Sequence, residues 1–188
     1  MNVLIAEDET LIRLDLCAMI ERAGLRVCAE AHDGEEAVAL ARETEPDVAI
    51  LDVKMPLLDG IAAARQILRE RPLPIVIVSA YTERALVKRA AEAGVFGYLA
   101  KPFREPDLLP AIQTAQARFD DLTAVRVEVE NLTDALAARK AIERAKGILM
   151  AKESLTEDAA FGRLRKVSQT SGRPMRVIAE AVIETFAG

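Results

Sequence analysis

The chain has 188 residues, enough for one or two domains, and 51% hydrophobic against 29% charged residues excludes a disordered polymer. Aromatic residues make up only 4% and Trp is absent, which excludes recognition of nucleic acid by many stacked aromatic side chains. The net charge of −5 hides an asymmetry: residues 1–138 carry 15 Lys and Arg against 24 Asp and Glu, and residues 139–188 carry 10 against 6, so an acidic body precedes a basic tail.

Met1-Asn2-Val3-Leu4 runs directly to Glu7 and Asp8 without a basic leader, and the longest uncharged run, 72–82, is too short for a bilayer. Cys17 and Cys28 sit in apolar patterns as free thiols, so a cytoplasmic protein is expected. Short apolar runs then alternate with helical periodicity. Val3–Ala6 is a strand, and Ile12, Leu16, Met19, Ile20 and Ala23 mark a helix stopped by Gly24. Leu25–Ala29, Val48–Leu51, Ile75–Val78 and Val95–Leu99 are the next four strands. The helices between them carry Ala37, Val38, Leu40 and Ala41, then Ile61, Ala64, Ile67 and Leu68, then Leu86, Ala90 and Ala93. Nearly continuous apolar strands alternating with helices predict an α/β fold, a flavodoxin-like doubly wound parallel sheet of five strands.

Beyond Pro110 the pattern changes. Leu108, Ile112, Ala115, Phe119, Leu122, Val125, Val129, Leu132 and Leu136 recur in steps of three and four, with a stammer between Leu122 and Val125. Neither Gly nor Pro occurs from Ala111 to Lys146, so a helix over 107–139, ~50 Å long, is expected to continue the fifth helix as a coiled-coil-like stalk. The remaining residues predict an all-α domain of three short helices. Ile142, Ala145 and Leu149 mark the first. Ser154-Leu155-Thr156-Glu157 is a capping box for the second, with Ala160, Leu164 and Val167 inward. Met175, Ile178, Ala179, Val182 and Phe186 follow Pro174 in the third.

The chemistry-bearing residues fall at strand ends, where open α/β sheets bind ligands. Glu7 and Asp8 follow the first strand, Asp52 the third, Ser79 the fourth and Lys101 the fifth. Three gathered carboxylates require a cation, and a small all-oxygen set suits Mg²⁺. A carboxylate held beside that ion is able to attack phosphorus, with a Lys ammonium offsetting the developing charge. His32, the only His, falls in the turn Ala31-His32-Asp33-Gly34 as a solvated side chain.

Glu7-Asp8 after Leu4-Ile5-Ala6, the segment from Asp52 to Asp59-Gly60, Ser79-Ala80 and Tyr98-Leu99-Ala100-Lys101-Pro102 together resemble a two-component receiver domain over residues 1–120. The resemblance implies that Asp52 is the phosphoacceptor. It implies that Glu7, Asp8, Asp52 and a backbone carbonyl at Lys54 hold Mg²⁺, that Lys101 contacts the phosphoryl group, and that the Lys101–Pro102 bond is cis. Ser79 and Tyr98 match the switch hydroxyl and switch aromatic, and Lys54 and Tyr81 the positions that tune dephosphorylation. Glu7 stands where the family more often has Asp and keeps the charge. An aspartate-nucleophile phosphatase is the enzyme rival, but its nucleophile follows the first strand within Asp-x-Asp, whereas Asp52 follows the third and precedes Val53-Lys54. No enzyme activity beyond phosphorylation and dephosphorylation at Asp52 is implied.

In the tail, Ala145-Lys146-Gly147-Ile148-Leu149-Met150, Ala159-Ala160, Leu164-Arg165, Ser168 and Ala179 resemble the ANTAR domain, over residues 135–188. That family is a three-helix RNA-binding module of transcription antitermination regulators, recognising paired hairpin loops in leader transcripts. The basic candidates for RNA contact are Arg139, Lys140, Arg144, Lys146, Arg165 and Arg173. The chain is therefore expected to be a response regulator phosphorylated by a sensor histidine kinase, controlling gene expression through RNA and pairing through its stalk as a phosphorylation-dependent homodimer, with no membrane partner. The alternative is a receiver whose helical tail binds protein or DNA.

Overall fold

The structure, a computed structural model, describes residues 1–80 and 84–186. Tyr81 lies outside the described residues. Within them the chain divides into two compact units, residues 1–123 and 124–188.

The first unit holds β1 (Asn2–Ala6), α1 (Thr10–Arg22), β2 (Arg26–Ala31), α2 (Gly34–Thr44), β3 (Val48–Asp52) and α3 (Gly60–Glu70), then β4 (Ile75–Ser79), α4 (Arg84–Glu92) and β5 (Gly97–Ala100). The strands form one parallel sheet in the order β2-β1-β3-β4-β5, the flavodoxin-like doubly wound arrangement. Burial explains why the inner strands are apolar between their ends. On one face Leu4, Leu51, Ile75 and Ile77 pack with Ala37 and Ala41 of α2 and Ile61 and Ile67 of α3. On the other, Val3, Ile5, Ile50, Val76 and Val78 pack with Leu16 and Ile20 of α1 and with Leu108, Ile112 and Ala115. Alternate residues of one strand thus enter opposite cores. The edge strands differ from the sequence-based ranges. β2 extends to Ala31, where its pairing with Ala6 ends, and β5 begins at Gly97, which pairs with Val76.

α5 (Glu105–Glu153) is a single helix of 49 residues running from the first unit into the second. The short helix expected around Ile142, Ala145 and Leu149 is not separate but is the end of α5. Gly147 alone does not break it, because a single glycine costs a helix only about 1 kcal/mol. Leu108, Ile112 and Ala115 are fully buried. Phe119 also turns into the first unit, meeting Phe96 edge-on with ring centroids 5.5 Å apart, so it leaves the apolar stripe that continues at Leu122.

The second unit adds α6 (Glu157–Ser171) and α7 (Met175–Phe186) to the end of α5, around a core of Ala145, Leu149, Ala160, Leu164 and Ala179. The cap of α6 lies two residues later than expected. Thr156 is the N-cap, its hydroxyl accepting from Ala159 N at 3.3 Å, while Ser154 takes φ 55° in the turn leaving α5. No described helix is long and apolar enough to cross a membrane.

Candidate functional site

The carboxyl edge of the sheet brings the sequence-predicted residues of the first unit together. Glu7, at the end of β1, is 2% exposed, Asp52, at the end of β3, is 6% exposed, and Asp8 faces solvent between them. Each offers a carboxylate oxygen within 4.8 Å of the others. Lys101 follows β5 on a peptide bond to Pro102 that is cis. Its Nζ donates to Glu7 Oε2 at 2.5 Å and lies 2.8 Å from Asp52 Oδ1. The second oxygen of Asp52 accepts from the Lys54 amide at 2.7 Å, which fixes the carboxylate plane. Ser79 is buried at the end of β4, and Tyr98 packs half-buried against the α2/α3 core. A cleft of about 300 Å³ opens above these groups and is lined by Glu7, Asp8, Asp52, Lys54, Ser79 and Lys101.

Electrostatics follow from this crowding. Burial raises the Glu7 carboxyl above the ordinary glutamate range, the neighbouring Asp52 charge adds to that, and the hydrogen bond from Lys101 opposes both. Burial pulls the Lys101 ammonium down, but hydrogen bonds to Asp52 and Glu7 outweigh it and hold the pKa above that of a free lysine. Three carboxylates against one ammonium leave uncompensated negative charge in a partly buried, all-oxygen donor set. That donor set fits a small hard divalent cation such as Mg²⁺.

Two supports carried no assigned role in the sequence reading, although Gly60 stood within the receiver-like segment. Arg13 of α1 donates to the Glu7 carbonyl at 2.7 Å, tying down the loop after β1. Gly60 opens α3 against the site, where a Cβ would lie 1.9 Å from the Asp52 carbonyl oxygen, so only glycine admits this approach. The adjoining Asp59, which caps α3 by accepting from Ala62 N at 2.8 Å, was the available signal. His32, Asp33 and Glu36 also cluster: the two carboxylates serve the start of α2, and the exposed His32 ring pairs with Glu36. Asp33 Oδ1 accepts from Glu36 N at 2.8 Å, and Glu36 Oε2 accepts from His32 N at 2.7 Å.

In the second unit Arg139, Lys140, Arg144, Arg165 and Arg173 are exposed and form no ion pair among the described residues. Lys146 departs from the exposed contact expected of it. It is 8% exposed, and its Nζ lies 2.6 Å from Glu157 and 3.0 Å from Glu143, bracing α5 against the start of α6.

A five-stranded parallel sheet in this order, with an acidic triad and a lysine at its carboxyl edge, defines a receiver-type regulatory domain. Residues 3–113 match the response regulator receiver domain and residues 130–183 the ANTAR domain, and the chain belongs to the response regulators that join these two. It is 48% identical over 185 residues to the transcriptional regulatory protein PdtaR of Mycobacterium tuberculosis, a match covering 98% of this chain and 90% of that one. Its fold is similar to the response regulator domain of Thermotoga maritima CheB, with TM-score 0.58 and 32% identity, covering 62% of this chain and 96% of that one. It is also similar to a chain in a CheX–CheY–BeF3–Mg complex from Borrelia burgdorferi, with TM-score 0.58 and 28% identity, covering 60% of this chain and 86% of the other.

Proposed function

We propose that Asp52 accepts a phosphoryl group from a sensor histidine kinase and that its phosphorylation controls RNA binding by the helical unit, and with it transcription antitermination. The observation that carries the receiver half is the convergence of Glu7, Asp8, Asp52 and Lys101 on one cleft. An Asp52 carboxylate oxygen forms the new bond to phosphorus as the bond from phosphorus to the donor's imidazole nitrogen breaks, and that nitrogen keeps the electron pair. Lys101, already within 2.8 Å of Asp52, is placed to neutralise charge on the transferring group. Glu7, Asp8 and Asp52, with the Lys54 backbone carbonyl, would hold Mg²⁺, which supplies charge stabilisation to the phosphoryl oxygens when bound. Ser79 and Tyr98 are the switch pair that reports phosphorylation to the outer surface.

The RNA half rests on the basic second unit, with Arg139, Lys140, Arg144, Arg165 and Arg173 as the contacting cations and Lys146 as their internal brace. The activity assigned to the protein is regulatory, confined to the phosphoryl group on its own Asp52, and a cytoplasmic setting follows from an RNA target.

Two measurements test this. Acetyl phosphate with Mg²⁺ should add one phosphoryl mass to the wild type and none to Asp52→Asn, and equal labelling of the variant would remove the assignment. Crosslinking to cellular RNA with and without phosphodonor should enrich defined leader transcripts in the phosphorylated sample. Recovery of duplex DNA or of protein alone would favour the other tail function.

A further inference from the structure

Two glycines stand inside helices of the second unit, Gly147 in α5 and Gly162 in α6. Glycine is among the weakest helix formers, so alanine would give a firmer helix at either position wherever a methyl group has room. Room is available, since a Cβ built at Gly147 or at Gly162 meets nothing within 4 Å. Packing inside the chain therefore explains neither residue, and both lie on exposed surface. Their surroundings are alike. Gly147 shares its helix face with Arg144 one turn earlier and Lys140 two turns earlier, and Gly162 is followed one turn later by Arg165 and Lys166. All four cations are exposed and form no ion pair among the described residues, whereas Lys146, Arg163 and Arg176 of the same unit are paired. Of the acidic neighbours, Glu143 is held by Lys146, and Asp158 lies in the first turn of α6, where the helix dipole favours it.

We propose that Gly147 and Gly162 are bare landing points where the sugar–phosphate backbone of RNA lies directly on the helix main chain, held by Lys140 and Arg144 at the first and by Arg165 and Lys166 at the second. The proposal rests on the RNA-binding function above and deepens it. An exposed helix position without a side chain lets a polyanion approach as closely as the main chain allows and brings its phosphates within reach of the neighbouring cations. A second copy of this chain is the other occupant able to use a bare helix face. Residues 139–188 carry ten Lys and Arg against six Asp and Glu, so a like-charged copy meets repulsion where an RNA meets attraction.

The test sets stability against affinity. Phosphorylated full-length wild type, Gly147→Ala and Gly162→Ala are titrated against the transcript most enriched by the crosslinking above, made in vitro, and each protein is also melted and sedimented. Both variants should melt at or above the wild-type temperature, as helix propensity dictates, while each binds about tenfold more weakly or worse. Affinity within twofold of wild type overturns the proposal. So does a lower melting temperature, which would mean that the glycines serve packing, or a change in self-association in place of RNA affinity. If the wild type enriches no transcript, the functional reading fails and takes this inference with it. If the wild type binds and the alanine variants bind equally well, only this inference fails.

Discussion

Gly60 holds a position no other residue fills without movement, because its missing Cβ is what lets the start of α3 lie against the Asp52 carbonyl. Gly60→Ala should therefore cost about 1–3 kcal/mol by overpacking and shift the Asp52 backbone. Urea denaturation reads the first effect, and slower labelling by acetyl phosphate reads the second. The Lys146 cluster makes a separate prediction about pH. The hydrogen bond from Lys146 holds the Glu157 carboxyl below the ordinary glutamate range, so the stability it contributes is full above that range and lost as pH falls through the lowered folded value. Hydrogen bonds to Glu157 and Glu143 hold Lys146 above the ordinary lysine value, so its contribution is full below that value and lost as pH rises past the raised one. Glu157→Gln should accordingly be less stable than wild type at neutral pH, and the gap should close on acidification. Thermal melts of the two proteins across the acid range check it. The Glu143-x-x-Lys146 spacing was visible in the sequence. That Lys146 turns inward was not, because its second partner lies across a turn on another helix.

α5 presents Leu122, Val125, Val129, Leu132 and Leu136 to solvent, with Leu132 64% exposed. So long an apolar stripe on a lone helix is a surface in want of a partner. A parallel or antiparallel pairing along it would bury two copies of Leu132 at ~1.5–3 kcal/mol each. Leu132→Glu should then weaken dimerisation by at least ~3 kcal/mol, more than a hundredfold in dissociation constant. Analytical ultracentrifugation of the phosphorylated protein reads this, and a monomer both before and after the change would mean that the stripe does not pair copies. The three-and-four spacing that revealed the stripe is a property of the helix itself and was legible throughout. The point where it passes from the core of the first unit to solvent was not, because Phe119 fits the spacing as well as Leu122 does and is claimed by Phe96, a residue of the loop before β5.

Charge divides along the chain, with 24 acidic against 15 basic residues before position 139 and 6 against 10 from there on. If phosphorylation of the first unit governs RNA binding by the second, affinity for the leader transcript should rise on phosphorylation and fall steeply with salt. Counterion release gives a slope near −0.7 per phosphate contact on single strands. Reversing Lys140 and Arg144 together to Glu should weaken binding and flatten that slope by about two contacts, leaving Asp52 labelling unchanged. Titrations at several salt concentrations measure both effects. A slope equal to that of the wild type would make those two residues ordinary solvated surface.

Local pattern carried much of this protein. Nearly continuous apolar runs marked the strands of the sheet, periodicity marked the helices, and turn residues such as Gly24 marked the joints, since each depends on a few neighbouring residues and the geometry of one element. The residues standing at strand ends were likewise legible one by one. Their meeting was anticipated through the resemblance to a receiver domain and not from local pattern, because strand order is a choice among pairings of distant segments, made by burial on both faces and by the handedness of the crossovers. The order β2-β1-β3-β4-β5 sets β1 beside β3, and so Glu7 beside Asp52. β5 lies at the sheet edge beyond β4, and the long Lys101 side chain that follows it reaches back to both carboxylates. Glu7 and Lys101 are 94 positions apart in the chain and 2.5 Å apart in the fold, a proximity that only the packed sheet creates.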